Sequence, residues 1–352
     1  MKPSIFSLTR QEFIDFTYAS LGKGKEHAGI LYGEWYRLGR VSDRNPAFKT
    51  AQHLYRRIVD LFDWSELAVD TKSVDASTYK FLLKTHDDLP IECVAIPMQA
   101  GWTLCVSSQV GCKMGCTFCE TAKMGLVRSL ETEEIVAQLF FAKFTKKFPI
   151  KNIVFMGMGE PLDNYDAVKQ AIAVFCDLGG LGFGSRQVTV STCGRVDGIK
   201  RLIEDKVHIH LAVSLNAPNN MIRNQLMPVN RQADLSLLYE SMKEYGQIMK
   251  RSILVEYVLI EGVTDSEEDA RQVADYLKGL NVKVNLIPYN PQRTGVRFKS
   301  PQMESIDSFA ATLRKEGYRT LIRLPKGQQA HAACGQLGHR KWRQKKRELC
   351  KQ

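Results

Sequence analysis

The sequence predicts an α/β protein built around a full or partial parallel β/α barrel, preceded by a small helical domain and followed by a basic tail. From about residue 91, short β-branched runs alternate with amphipathic helical stretches, which is typical of parallel β/α units. The predicted strands follow one another at intervals of roughly 20–45 residues, which suits a barrel. The length of 352 residues allows one large domain with an appendage, or two domains.

The chain divides into three predicted regions: a helical accessory domain over 1–90, a barrel over 91–338 and a tail over 339–352. In the first region, Leu54, Ile58 and Leu61 lie on one face of a predicted helix over 51–62. Barrel strands are predicted at 103–107, 153–156, 187–191, 208–214, 253–259, 284–288 and 320–323. Helices are predicted at 132–144, 165–176, 235–247, 266–278 and 302–315.

Composition limits the classes of function. Apolar and charged contents of 44% and 25% are ordinary for a soluble protein. The sequence has no stretch long enough to span a membrane and no signal peptide, so we expect a cytoplasmic protein with no membrane partner. Nine cysteines in a reducing compartment favour metal or catalytic use over a disulfide framework. The formal net charge of +11 favours a polyanionic partner such as nucleic acid, although a basic soluble enzyme would also carry it.

Three closely spaced cysteines, Cys112, Cys116 and Cys119, are the strongest motif. Their thiolates can hold three irons of a four-iron, four-sulfur cluster and leave the fourth iron open, although such clusters usually have four cysteines. A zinc site is the alternative, but zinc motifs carry a second ligand pair, which this segment lacks. Three structural cysteines without a metal are a further alternative.

Polar residues follow several predicted strands. Glu160 stands in Gly-Met-Gly-Glu-Pro-Leu at 157–162, where two glycines would let the backbone approach a ligand and the carboxylate would accept hydrogen bonds. A structural turn explains this motif about as well. Other strand-end candidates for a site at the barrel mouth, each of which could instead be a loop cap, are Ser191, Ser214, Asn216 and Asn290.

Two further cysteines and the tail complete the pattern. Cys105 lies in the first predicted barrel strand, and Cys334 lies in a small-residue setting after the last one. Taken alone, each of these two cysteines is most simply explained as a small residue of the hydrophobic core. Seven basic residues and Trp342 follow residue 339, which suits either nucleic-acid contact or a solvated tail.

Taken together, three segments resemble the RlmN/Cfr family of radical S-adenosylmethionine (SAM) RNA methyltransferases. They are Cys-Val-Ser-Ser-Gln-Val-Gly-Cys at 105–112 leading into the cysteine trio, the Gly-Met-Gly-Glu-Pro-Leu segment, and Ala-Cys-Gly-Gln-Leu at 333–337. The resemblance covers about 91–338 and is closer to the RlmN branch. It implies a partial barrel of the radical SAM type, with a [4Fe-4S] cluster on the trio and SAM on the open iron. The implied SAM contacts are Gly159, Glu160, Ser191, Ser214, Leu215, Asn216 and Asn290.

The resemblance also implies a mechanism with two SAM molecules. One methylates Cys334, and the other yields a radical that activates this S-methyl group for addition to an adenine ring carbon of 23S rRNA or tRNA. Cys105 would resolve the protein–RNA adduct through a disulfide with Cys334, and Glu92 would accept a proton. A flavodoxin or ferredoxin would supply electrons.

The sequence departs from the family pattern at two places, and two alternative functions remain open. The family usually has acidic residues before Ala-Cys-Gly-Gln-Leu, where this chain has Gln-Gln-Ala-His at 328–331, and it often has His at the position of Asn216. One rival is methylation of carbon 8, or of another RNA, instead of carbon 2. The other is a metal-cluster RNA-binding protein without catalysis, which would have no use for both Cys105 and Cys334.

Overall fold

The computed structural model describes residues 2–75, 78–99, 101–291, 297–324, 333 and 335–338. Within these residues, ten strands form one sheet in the order β1-β2-β3-β4-β7-β8-β9-β10-β11-β12, and β5 pairs with β6 as a separate hairpin. The strands are β1 Ala68–Asp75, β2 Thr78–Lys84, β3 Pro90–Met98, β4 Gly101–Cys105, β5 Gln109–Gly111, β6 Leu126–Ser129, β7 Ile150–Phe155, β8 Val188–Thr192, β9 His210–Ser214, β10 Ile253–Leu259, β11 Val282–Pro288 and β12 Arg319–Ile322.

From β4 to β12 each neighbouring pair is parallel, and helices connect the successive strands. The helices are α1 Arg10–Leu21, α2 Lys25–Leu38, α3 Gln52–Leu61, α4 Glu120–Met124, α5 Thr132–Phe140, α6 Tyr165–Cys176, α7 Val196–Glu204, α8 Asn220–Leu226, α9 Leu235–Met249, α10 Glu267–Tyr276 and α11 Met303–Lys315. In the described chain β12 pairs with β11 alone, so the sheet curves without closing. This confirms the predicted partial barrel, whose strands carry mostly buried apolar side chains.

Local sequence explains where several elements begin and end. Thr9 and Glu12 form a reciprocal capping box at the start of α1, and Ser266 and Asp269 do the same for α10. The helix predicted over 132–144 is α-helical only to Phe140 and continues as a π turn over Phe141–Thr145. The predicted strand over 253–259 matches β10.

The N-terminal region differs from the helical prediction in its second half. Helices α1 to α3 end at residue 61, and β1 and β2 then add antiparallel strands to the edge of the barrel sheet. The sequence of β1, Ala-Val-Asp-Thr-Lys-Ser-Val-Asp, has little apolar content to reveal a strand. The predicted boundary near residue 90 falls at the first residue of β3, and the division into domains stays a prediction. The tail over 339–352 lies outside the described residues.

Aromatic packing joins the N-terminal helices to the barrel. Trp35 of α2 stacks on Phe140 of α5 with ring centroids 4.6 Å apart, and Phe6 meets the same ring edge-on at 5.0 Å. These side chains belong to one hydrophobic core that extends through the parallel strands. Of the described helices, none combines the length and apolar character that a membrane crossing requires.

Candidate active site

A tight loop between β5 and α4 carries the three cysteines. Cys112 directly follows β5, and Cys119 is the residue before the first turn of α4. Gly111 has φ +79°, and a Cβ there would collide with the carbonyl oxygen of Gly125, so the hairpin that begins this loop requires glycine. Cys112 N–H donates to the same Gly125 oxygen at 3.0 Å. The backbone thus fixes the start of the loop against Gly125, the residue that follows α4.

The three thiols line one pocket, where Cys112 is buried and Cys116 and Cys119 are half-buried. Burial raises the pKa of Cys112 to about 12, and it also raises the pKa of Cys116 and of Cys119. Backbone N–H groups oppose this effect: Met114 donates to Cys112, and Thr121 and Ala122 donate to Cys119. Such donors stabilise thiolate ligands and tune the potential of a cluster.

The donor set fits an iron–sulfur cluster. Among the described residues, no three His, Cys, Asp or Glu side chains are grouped to hold a single metal ion. The cysteine ligands of a four-iron cluster bind different irons, so the three thiols need not converge on one point. Three cysteines around one concave pocket, one buried and two half-buried, match that requirement.

The strand ends form the rest of the pocket wall. Most of the predicted SAM contacts line it, namely Gly159, Glu160, Ser191, Ser214, Asn216 and Asn290. Leu215, the other predicted contact, is buried beside them, and its N–H donates to the carbonyl oxygen of Glu256 at 2.9 Å. The structure therefore brings the strand-end candidates together with the three cysteines, as expected for the carboxyl ends of parallel strands.

Glu160 is the best-fixed carboxylate of the pocket. Its Oε2 accepts from Cys193 N–H at 2.8 Å, and its Oε1 accepts from Leu162 N–H at 3.0 Å. Its own N–H donates to the side-chain oxygen of Gln109 at 2.9 Å. Burial raises the pKa of Glu160, and the hydrogen bonds to the carboxylate partly oppose that rise. The side chain is thus held at one orientation, with its carboxylate in the pocket wall.

Cys105 lies at the carboxyl end of β4, on the face that lines the pocket. It is buried and pairs with Val154 of β7, two residues before the pocket-lining Met156. Because side chains two residues apart in a strand share a face, Cys105 and Met156 are on the same side of the sheet. Glu92 of β3 is also buried, at 1% exposure, and reaches the same side.

Cys334 lies outside the described residues, but its neighbours on both sides are described. Gly335 lines the pocket, and its carbonyl oxygen accepts from Glu120 N–H at 2.8 Å. Glu120 is the residue that follows Cys119. The segment that carries Cys334 is therefore bound directly to the cysteine loop, although about 215 residues separate the two in sequence.

The sequence analysis missed three buried residues of the site. Arg223 of α8 is fully buried and donates to the carbonyl oxygens of Cys193, Ser214 and Leu215. Glu256 of β10 lines the pocket and accepts from Asn285 at 2.8 Å. Cys193 also lines it, beside Glu160. A charged residue inside an apolar strand, such as Glu256, was the one sequence signal available.

Comparisons with known proteins agree with this geometry. The model of the radical SAM superfamily matches residues 106–274. The chain is 49% identical over 344 residues to "Probable dual-specificity RNA methyltransferase RlmN 1" of Protochlamydia amoebophila, covering 97% of this chain and 96% of that protein. It is 38% identical to "Dual-specificity RNA methyltransferase RlmN" of Bdellovibrio bacteriovorus, covering 95% of this chain and 83% of that protein.

A solved structure extends the agreement to the whole fold. The crystal structure of a radical SAM methyltransferase from Sphaerobacter thermophilus superposes with a TM-score of 0.86 and 35% identity, covering 95% of this chain and 98% of that chain. Fold and cysteine loop together define a radical SAM enzyme. More narrowly, the chain belongs to the RlmN family of radical SAM methyltransferases, which confirms the family expected from the sequence.

Proposed function

We propose that this protein methylates RNA at an adenosine ring carbon, with carbon 2 as the favoured position and 23S rRNA, tRNA or both as substrates. The relatives named above are RNA methyltransferases, and their match spans nearly all of this chain. The observation that carries the proposal is the binding of Gly335, the residue after Cys334, to the helix that begins after Cys119. It supports a site where methyl-carrying sulfur and cluster act on one substrate.

In this proposal Cys112, Cys116 and Cys119 hold a [4Fe-4S] cluster, which supplies the electron that cleaves SAM reductively. The pocket-lining residues Glu160, Ser191, Ser214, Asn216 and Asn290 hold SAM, together with the backbone at Gly159 and Leu215. The buried Glu160 carboxylate suits the amino group of SAM, because a desolvated carboxylate forms strong bonds to a cation. Electrons come from a flavodoxin or ferredoxin.

Each remaining residue has one task. Cys334 accepts a methyl group from SAM on its sulfur and presents it to the adenine. Glu92 takes the proton that leaves the ring carbon. The Cys105 thiolate then attacks the sulfur of Cys334 and forms a disulfide; the electron pair of the broken sulfur–carbon bond stays on the product carbon, which takes up a proton, and an external reductant restores both thiols. The ring carbons 2 and 8 of adenine are electrophilic, so polar transfer from SAM fails there and a radical route is needed.

RNA binding rests on charge. The net charge of +11 favours a polyanion, and helices α1 to α3 and the tail over 339–352 are our candidates for RNA contact. We expect the protein to act in the cytoplasm, where its RNA substrates and a reducing environment are found.

Two measurements test the function. Anaerobic reconstitution should load about four irons per chain, and the reduced protein should cleave SAM to 5′-deoxyadenosine. Mass mapping of adenosines in RNA from cells with and without the protein should show loss of a 2-methyladenosine. Absence of iron uptake or of SAM cleavage would refute the proposed enzymatic activity. Loss of 8-methyladenosine instead would reassign the carbon.

A further inference from the structure

A buried ion pair lies beside the site, and its lysine has no role in the chemistry described so far. Lys80 Nζ of β2 lies 3.5 Å from Glu92 Oε1 of β3, and the two side chains are 9% and 1% exposed. Buried charges of this kind are expensive to desolvate and are retained only when each has a partner.

The second oxygen of Glu92 binds the C-terminal loop, by which we mean residues 335–338. Gly338 N–H donates to Glu92 Oε2 at 3.0 Å. One carboxylate therefore joins a lysine on one side to a backbone amide on the other. A hydrogen bond to an ionised acceptor is stronger than one to a neutral acceptor, so the charge of Glu92 bears directly on how firmly this amide is held.

Two further contacts fix the same loop from the opposite side. Thr121 Oγ1 of α4 donates to Leu337 O at 2.6 Å, and Gln336 Nε2 donates to Pro291 O at 2.9 Å. Leu337 and Gln336 are each 4% exposed. The loop is thus packed between α4 and the antiparallel strands β2 and β3, and Glu92 is its anchor on the strand side.

We propose that Lys80 is a positioning residue that keeps the Glu92 carboxylate directed at Gly338, so that the pair acts as a latch holding the C-terminal loop beside the pocket. The meaning of this latch for methyl transfer rests on the function proposed above, since the loop directly follows Cys334. Lys80 shares a face of the sheet with Glu92 and Cys105, because Lys80 pairs with Val94 and Val94 pairs with Cys105.

Lys80→Met tests the latch. Without the ammonium group of Lys80, the buried Glu92 side chain loses the partner that orients its Oε1, and the bond from Gly338 to its Oε2 weakens. Hydrogen–deuterium exchange with residue-level fragmentation should show the Gly338 amide exchanging about tenfold faster or more, the effect expected from losing a bond to a charged group. Lys80→Arg keeps the charge and should restore most of the protection.

Lys84→Met is the matched control. Lys84 lies on the same strand and pairs with Asp88 at 3.8 Å, but its side chain is 41% exposed. This variant removes an identical charge and should leave exchange at Gly338 unchanged. If Lys80→Met does not fold, the double variant with Glu92→Gln leaves no unpaired buried charge and should still exchange faster at Gly338.

Unchanged exchange at Gly338 in folded Lys80→Met, or in the double variant, would overturn the latch. So would equal acceleration in Lys84→Met. These outcomes concern the loop alone and leave the methyltransferase proposal standing. Conversely, a wild-type protein that never methylates RNA would refute the proposed function, while faster exchange in Lys80→Met would still establish the latch.

Discussion

Replacement of Arg223 by methionine should destabilise the strand ends that line the pocket. The guanidinium donates to Asn230 Oδ1 at 2.8 Å and to the carbonyl oxygens of Cys193 at 2.7 Å, Leu215 at 3.1 Å and Ser214 at 3.3 Å. It thereby ties the end of β8 to the end of β9. No carboxylate pairs with it among the described residues, so these bonds are its compensation for burial.

The expected loss in the free energy of unfolding follows from the hydrogen-bond acceptors that lose Arg223 as their donor. Each buried acceptor without a donor destabilises the fold by about 1–3 kcal/mol. Burial lowers the pKa of Arg223, which means that desolvating the cation already opposes folding and offsets part of the loss. We therefore expect a net loss of about 3 kcal/mol in the free energy of unfolding, and SAM binding about tenfold weaker because Ser214 and the Cys193 N–H that holds Glu160 lose their support.

Anaerobic urea unfolding and equilibrium dialysis with SAM measure the two effects. The control is Arg201→Met, which removes an exposed arginine paired with Asp166 at 2.6 Å and should change stability by less than about 1 kcal/mol. A loss below about 1 kcal/mol in Arg223→Met, with unchanged SAM affinity, would refute the reasoning that Arg223 organises the strand ends.

Three other predictions concern single side chains. Cys334→Ala should abolish RNA methylation while iron content stays unchanged; unchanged methylation would refute the sulfur-bound methyl group. Cys105→Ala should accumulate a covalent protein–RNA species on denaturing gels, and its absence while SAM is consumed would refute the resolving role. The hydrogen bonds from Arg128 lower the pKa of Asp87 to about 2. The contribution of this pair to the free energy of unfolding is therefore fully present above pH 3.8, the ordinary pKa of this carboxyl group, and it is lost as the pH falls through 2. Arg128→Gln should move the Asp87 midpoint in a carbon-detected NMR titration of the cluster-free protein back towards 3.8, and an unmoved midpoint would contradict the assignment.

The barrel strands could be predicted from the sequence because the pattern that identifies each strand is local. The run of β10 over 253–259 is bounded and rich in β-branched residues, so period and composition identify it without reference to any neighbour. The strand β1 carries no such signal, because its place is decided by pairing with β2. Among the described residues β1 is the edge strand of the sheet, and polar residues suit such an edge.

The residues of the candidate site also differ in whether their sequence signal is local. The cysteine trio and Glu160 stand in short motifs, and the structure brings them into one pocket. Arg223 could not be found in this way, because an arginine in a short helix reads as a surface residue and only tertiary burial gives it a role. Lys80 and Glu92 are 12 residues apart and meet only because β2 turns back along β3.

The bond between Gly338 and Glu92 joins residues 246 positions apart. During synthesis the chain emerges from its N-terminus at about 5–20 residues per second, so Glu92 and the cysteine loop leave the ribosome more than ten seconds before Gly338. Contacts of such long range form late in folding, because the intervening chain must first be ordered. The hydrogen bond by which Gly338 holds β3 is therefore absent until the last part of the chain has left the ribosome.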